Sequence, residues 1–339
     1  DGAMANLGTL SHEFFHCWNM ERIRSAAIEP FDFERANMSG ELWLGEGFTS
    51  YYDDLIIHRA GLSDLDQYAA GVGRLLNATI NAPGRRFFSP VEMSMQAPFV
   101  DAATSIDPTN QANTFLSYYT WGAAIGLGLD LTLRTRFDGL TLDDYMRALW
   151  ETHGKPGAPY TLDDLRAALA RVTGDAEFAE TFFRRYITGH DVVDYAALLA
   201  HAGLLLRKAD PDGPTLGRVG IRFGDDGAIV ATPTLVDSPL YEAGVDRGDR
   251  IISLGGREIH EEADLRAALA GRAPGDVLTI EFEQRGRHRT ASLALAADPR
   301  LEVVTFEAAG RQVTDAIRAF RAAWLGSKQP AKASPVGAR

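Results

Sequence analysis

His12 and His16 stand four residues apart in the run Ser11-His12-Glu13-Phe14-Phe15-His16-Cys17-Trp18-Asn19. On a helix they project from one face, where two imidazole nitrogens can reach one metal ion at about 2.0–2.1 Å. Glu13 then lies beside such an ion without ligating it, which is the place of a general base that takes a proton from water. A zinc ion lowers the pKa of water from about 15.7 to about 7, so the chemistry this pattern could do is hydrolysis at neutral pH. An ordinary amphipathic helix can carry the same spacing, and a catalytic zinc centre needs a third protein ligand and one open position. The segment Glu41-Leu42-Trp43-Leu44-Gly45-Glu46-Gly47-Phe48-Thr49-Ser50-Tyr51-Tyr52 offers two carboxylates, Glu46 and Glu41. Spacing alone admits either, although Gly47 beside Glu46 has no side chain to crowd a metal. Two imidazoles and a carboxylate suit one zinc ion per chain, while cobalt or manganese would fit the same set in vitro. Asp53, two turns beyond Glu46 on the same helical face, could orient a ligating histidine. Beside Asp54 it reads equally as a solvated helix carboxylate.

These two segments resemble the glycyl aminopeptidase family of gluzincin metallopeptidases, distant relatives of the alanyl aminopeptidases and leukotriene hydrolase. The resemblance implies a zinc ion held by His12, His16 and Glu46, with Glu13 as catalytic base. The stretch Ser117-Tyr118-Tyr119-Thr120-Trp121-Gly122 is similar to the Tyr-x-Lys-Gly helix start of these enzymes, whose tyrosine donates to the oxyanion. Aligned on Gly122 that tyrosine is Tyr119, with Tyr118 the alternative. Trp121 stands where relatives have lysine, so substrate contacts there should differ. Relatives also place a β-rich domain and a Gly-rich, amine-binding segment upstream of the metal helix. The chain begins at Asp1, ten residues before that helix, and is expected to be a C-terminal fragment lacking them.

The elements that must position these residues read as helices from His12 to about Leu206. Ser63-Asp64-Leu65-Asp66 opens one, with Ser63 as N-cap, and Ala82-Pro83-Gly84 ends it. Thr141-Leu142-Asp143-Asp144 and Thr161-Leu162-Asp163-Asp164 open two more with a capping threonine and acids that suit the helix dipole. Gly84 to Asn113, with Pro90, Pro98 and Pro108, is expected to be an irregular excursion bordering the cleft. Asp210-Pro211-Asp212-Gly213-Pro214 marks a linker, after which short strands are expected at 219–223, 228–232, 250–254 and 278–284, with a helix at 263–270. Ser238-Pro239-Leu240-Tyr241-Glu242-Ala243-Gly244-Val245-Asp246-Arg247-Gly248-Asp249 is similar to the PDZ domain of bacterial proteases. That resemblance implies a peptide added as a strand, with its carboxylate held by backbone amides of Arg218, Val219, Gly220 and Ile221. A PDZ fold whose groove is closed by its own enzyme is the other reading.

The expected fold class is therefore multidomain, a mainly α-helical thermolysin-like (gluzincin) catalytic domain followed by a small α+β PDZ domain. The expected divisions are a helical domain over 1–206, a linker over 207–217 and a PDZ domain over 218–298. A C-terminal extension with a helix follows over 299–325, then a disordered tail over 326–339. A net charge of −12 disfavours nucleic acid or an anionic membrane as partner. No apolar run reaches the roughly 20 residues needed to span a bilayer. Cys17 is the single cysteine, so no intrachain disulfide can form, and it is expected to be a small buried apolar residue. The function expected is a zinc aminopeptidase removing small N-terminal residues, glycine or alanine, from peptides. An endopeptidase with the same centre and a silent PDZ peptide-binding protein are the alternatives.

Overall fold

The helix starts legible in the sequence also start the helices of the computed structural model, which describes residues 6–100, 109–224 and 227–327. The helical body is built from α1 (Leu7–Phe15), α2 (Leu42–Arg59), α3 (Leu65–Ile80), α4 (Tyr118–Arg136), α5 (Leu142–Leu149), α6 (Leu162–Thr173), α7 (Ala176–Phe182) and α8 (Tyr195–Ala200). Thr141 and Thr161 each form a capping box, their N–H groups donating to Asp144 and Asp164 at 3.0 and 2.9 Å. At α3 the cap is Asp64 rather than Ser63, because Asp64 pairs reciprocally with Gln67 three residues on. The Gly84–Asn113 excursion is less irregular than expected, holding short helical turns at Pro83–Arg86, Pro90–Ser94, Ala97–Val100 and Gln111–Thr114. Its residues 101–108, Pro108 among them, lie outside the described residues.

α2 and α4 form the centre of the body, and each is apolar on more than one face. Trp43, Leu44, Phe48, Tyr51, Tyr52 and Leu55 of α2 are buried, as is nearly every α4 residue from Trp121 to Leu133. The apolar run Trp121–Leu129 is therefore core, and no described helix is long and apolar enough to cross a membrane. One buried carboxylate, Asp130, accepts from Tyr51 Oη (2.6 Å), Arg134 Nε (3.0 Å) and Leu142 N (2.8 Å). The low dielectric strengthens each bond and makes the loss of any one costly. The two helices touch through glycines. A methyl at Gly47 would stand 2.3 Å from Gly122 Cα, and one at Gly122 would stand 2.1 Å from Trp43 O. Only hydrogen at both positions lets the backbones approach this closely.

Among the described residues ten strands follow the first eight of these helices. β1 (Leu204–Lys208) pairs antiparallel with β10 (Leu301–Thr305), from Leu204↔Thr305 to Lys208↔Leu301. Between them lie β2 (Pro214–Thr215), β3 (Ile221–Gly224), β4 (Gly227–Val230), β5 (Arg250–Leu254), β6 (Arg257–Glu258), β7 (Val277–Gln284), β8 (Arg287–Ala294) and β9 (Ala296–Ala297). The order β3-β4-β5-β7-β8, with β6 on β5, gives one antiparallel sheet, while β2 pairs with β9. Helix α9 (Glu262–Leu269) completes this α+β unit, whose core includes Leu216, Val230, Leu240, Ile251, Ile280 and Phe282. The chain closes with α10 (Asp315–Leu325).

Three features differ from the sequence expectation. A boundary at 206 falls inside β1, and the 207–217 stretch read as a linker contributes Arg207 and Lys208 to one ribbon and Pro214–Thr215 to another. The 299–325 stretch is not an appendage. Val303, Trp324 and Leu325 are buried in the core of the helical body, where Trp324 Nε1 donates to Tyr51 Oη (2.9 Å) and Arg59 reaches Trp324 O. β8 was missed because Arg287, His288, Arg289 and Thr290 are all exposed, leaving Leu293 as its one buried residue. Such a charged edge strand carries no alternating signal and resists pairing with other chains. Of the tail expected at 326–339, residues 328–339 lie outside the described residues.

The α+β unit is fastened to the helical body by side chains. Buried Asn113 donates to Thr234 O (3.0 Å) and accepts from Val236 N (2.8 Å), and Arg86 pairs with Asp237 at 2.6 Å. Near the other end of the unit, Asn81 donates to Pro299 O and Asn77 accepts from Leu301 N.

Candidate metal centre

His12 lies on α1 and His16 is the residue that caps it, one helical turn further on. α1 buries no residue completely, but Phe15 stacks on Tyr52 of α2 at 4.5 Å between ring centroids and holds the two helices together. Glu46 faces them from the second turn of α2. His12 Nε2 lies 3.2 Å from Glu46 Oε2, His16 Nε2 lies 3.1 Å from the same oxygen, and the two Nε2 atoms are 3.1 Å apart. Four ligands around zinc at about 2.0–2.1 Å have edges of about 3.3–3.4 Å, so this triangle has the size of a tetrahedral face.

The far ring nitrogens fix the chemistry of the triangle. His16 Nδ1 meets the backbone carbonyl of Asn19 at 2.9 Å. A carbonyl only accepts, so the hydrogen of a neutral His16 sits on Nδ1 and its Nε2 presents a bare lone pair. His12 Nδ1 meets Asp53 Oδ2 at 3.1 Å, and an ionised Asp53 fixes the same tautomer there. Two lone pairs and a carboxylate oxygen then converge with no hydrogen between them, a donor set that needs a cation at its centre. His12, His16 and Glu46 are the one such group of His, Cys, Asp or Glu side chains among the described residues.

The bond from Glu46 holds the His16 imidazole above its ordinary range, opposed by burial and supported by the Asn19 carbonyl. Burial pushes the Glu46 carboxyl up, but its bonds to His16 and His12 outweigh this and leave it below its ordinary range. Asp53 is pushed up to about 7 by burial and by the Asp54 charge, against the pull of His12.

Glu13 is exposed on α1 and adds to the negative charge felt by His16. It lines a cavity of about 390 Å³ together with His12, His16, Glu46 and Tyr119, with Met20, Glu21, Arg24 and Ile28 completing the wall. Tyr119 enters from the first turn of α4, its ring 5.9 Å from that of His12. Tyr118 is 1% exposed and belongs to the core. Glu41 is held elsewhere by the hydroxyls of Ser25 (2.8 Å) and Ser39 (3.0 Å).

Several side chains are placed differently from expectation. Trp121 is buried and makes no wall of the cleft. Cys17 is exposed rather than buried and is no member of the ligand cluster. Gly47 serves the crossing with Gly122, which brings the Tyr119 helix up to the Glu46 helix, rather than giving room to a metal. Sequence reasoning passed over Met20, which lines the cleft with φ at 90°, a left-handed conformation costly for a side chain of this size. It also passed over Asn19, a lone polar residue between Trp18 and Met20, which is completely buried.

In the α+β unit, Arg218 is exposed and Gly220 is already engaged. Its N–H donates to Thr232 Oγ1 (2.7 Å) and its carbonyl accepts from Ala231 (2.8 Å). Val219, Ile221 and Phe223, together with Leu265 and Leu269 of α9, are half-buried against the core of this unit. Among the described residues β3 pairs only with β4, which leaves its outer edge open there.

The M61 glycyl aminopeptidase family model matches residues 5–125, and the PDZ domain model matches residues 216–295. The crystal structure of an aminopeptidase N family protein from Idiomarina loihiensis superposes with a TM-score of 0.80 at 25% identity, over 94% of this chain and 55% of that one. A Brucella suis biovar 1 protein named as a zinc metalloprotease is 30% identical over 115 residues, 32% of this chain and 30% of its own length. A Bartonella henselae protein named as a DegP-like periplasmic serine endoprotease is 30% identical over 76 residues, 22% of this chain and 15% of its own. The chain thus spans about half of the Idiomarina protein and under a third of the Brucella protein.

Proposed function

We propose that the chain, which the M61 glycyl aminopeptidase model matches over residues 5–125 and the PDZ domain model over residues 216–295, is the metal-binding part of a zinc-dependent aminopeptidase acting on peptides with small N-terminal residues. The observation that carries this reading is the convergence of His12 Nε2, His16 Nε2 and Glu46 Oε2 within 3.1–3.2 Å of one another. We read the helical body as the helical lobe of a thermolysin-like catalytic domain. A zinc ion bound there would supply a water acidic enough to be deprotonated at neutral pH and would polarise the scissile carbonyl.

The chain's own residues do the rest. Glu13, beside the ligands and open to the cleft, takes the proton of the attacking water and passes it to the leaving amine. Tyr119, a neutral phenol beside His12, donates to the oxygen on which negative charge develops. Asp53 holds His12 in the tautomer that leaves Nε2 bare. The preference for glycine or alanine rests on the family match alone. In the PDZ domain, a peptide would add along the open edge of β3 with its side chains between Ile221, Phe223, Leu265 and Leu269. Because the Gly220 amide is bonded to Thr232, the amides left for the peptide carboxylate are those of Arg218, Val219 and Ile221.

The test is metal content per chain for the parent and for Glu46→Ala measured side by side. One zinc in the parent and a large loss in the variant is expected. A folded parent that binds none would refute the centre. Hydrolysis of free and N-acetylated peptides by the full-length enzyme then separates the two peptidase classes, since equal rates would make it an endopeptidase.

A further inference from the structure

The two parts of the ligand set meet through one buried side chain outside it. Asn19 donates from Nδ2 to Leu44 O (2.9 Å), Gly45 O (2.9 Å) and Thr49 Oγ1 (3.1 Å), all on the turns of α2 that carry Glu46. Its own carbonyl accepts from His16 Nδ1 at 2.9 Å. The two α2 carbonyls can only accept, so the amide must present its NH2 group to them and cannot be reversed. Its Oδ1 is buried with no hydrogen-bond partner among the described residues. Leaving such an atom unpaired is unfavourable, so what the site uses is the donor end. The turn is held from the other side as well, where Met20 at φ 90° bonds back to Ile23 O (3.0 Å) and packs its sulfur on Gly45.

We propose that Asn19 is a positioning residue for the metal centre: it sets the distance between His16 and Glu46 by bonding the backbone of one ligand's helix while its own backbone fixes the other ligand's ring. This rests on His12, His16 and Glu46 being the ligands. Asn19 touches neither the ion nor a substrate. Its amide fastens the end of the α1 turn to α2, and its carbonyl selects the His16 tautomer whose Nε2 is free to bind.

The experiment compares zinc dissociation constants of the parent chain and Asn19→Ala by chelator competition at 25 °C, with cobalt(II) spectra of both. A rise in the zinc dissociation constant of about 10- to 100-fold is expected, with weaker visible cobalt bands as the tetrahedral arrangement loosens. A residue that merely stabilised the fold would lower the melting temperature of the metal-free chain yet leave the affinity and the cobalt spectrum of the folded protein at parent values. That result would overturn the proposal. Should Asn19→Ala not fold, Asn19→Ser, which keeps a hydroxyl donor and the same backbone turn, is measured against the same two outcomes. A folded parent that binds no zinc refutes the centre and this inference with it. A parent that binds zinc beside an unaltered variant refutes this inference alone.

Discussion

Replacing Gly47 by alanine tests whether the crossing of α2 and α4 sets the site. The added methyl would stand 2.3 Å from Gly122 Cα, 2.6 Å from its carbonyl carbon and 2.8 Å from Tyr118 O. Carbon atoms pack at roughly 3.5–4.0 Å, so relieving the contact fully would part the two backbones by about 1.2–1.7 Å. All three neighbours are backbone atoms, and no rotamer change relieves the clash. Overpacking of this kind costs about 1–3 kcal/mol or more, against a gain of about 1 kcal/mol from the better helix propensity of alanine. At about 2–4 °C per kcal/mol for a domain of some 200 residues, the melting temperature should fall by several degrees. Tyr119 moves with α4 away from Glu46, and a misplacement of about 1 Å can lower turnover about 100-fold. The control is Gly71→Ala on α3, where the nearest atom to the new methyl is the tip of Arg74 at 3.7 Å. With no clash, propensity alone acts there, and a rise of about 2–4 °C is expected. Calorimetry of both metal-free variants reads the difference. Upward shifts of similar size in both would refute the close-approach argument.

Four further outcomes are expected. In the full-length enzyme, Glu13→Gln should retain zinc and lose about 100- to 10,000-fold in turnover, and Tyr119→Phe about 100- to 1,000-fold with its metal content unchanged; steady-state kinetics with metal analysis checks both, and unchanged turnover removes the residue from the mechanism. Asp53→Ala should weaken zinc binding about 10- to 100-fold by freeing the His12 ring, read by chelator competition, whereas parent-like affinity would make Asp53 an ordinary helix carboxylate. The bond from Glu46 raises the His16 pKa, so in the metal-free chain that pair's stabilisation is complete below the ordinary value of about 6.5 and fades as pH rises through the raised value. Zinc must displace that proton, so its apparent affinity should climb about tenfold per pH unit and level off above the raised pKa; a flat titration between pH 5 and 8 would contradict the assignment.

What the sequence showed depended on how far apart the interacting residues lie. His12, Glu13 and His16 were legible because helical geometry acts over four residues, and the threonine caps were legible because a capping box spans three. Glu46 could be told from Glu41 only by family resemblance, since the distinction depends on how the chain from Ile23 to Ser39 turns back to bring the Ser25 and Ser39 hydroxyls onto Glu41. Tyr119 and Tyr118 are adjacent, and only the packing of α4 decides which faces the cleft. The pairing of β1 with β10 and the seating of Trp324 on Tyr51 join residues far apart in the sequence, where no local pattern can report them. Asn19 was the instructive omission. A completely buried amide amid aromatic neighbours needs partners, and that requirement could have been read from its setting.

The ribbon of β1 and β10 gives the chain a modular layout. Lys208 and Leu301 are its last Cα partners, so everything between them occupies the place of a hairpin loop. Neither end of the helical body's own path is interrupted there, because both ribbon strands remain part of it. A two-residue turn such as Asn-Gly could join Lys208 to Leu301 directly, the commonest way to close such a ribbon. Only a few side chains would lose partners, chiefly Asn113, Arg86 and Asn81, the residue that caps α3. The unit matched by the PDZ domain model is thus a cassette inserted into the helical body, one that recombination could remove or exchange in a single event while leaving the metal-centre helices and the Trp324 anchor untouched.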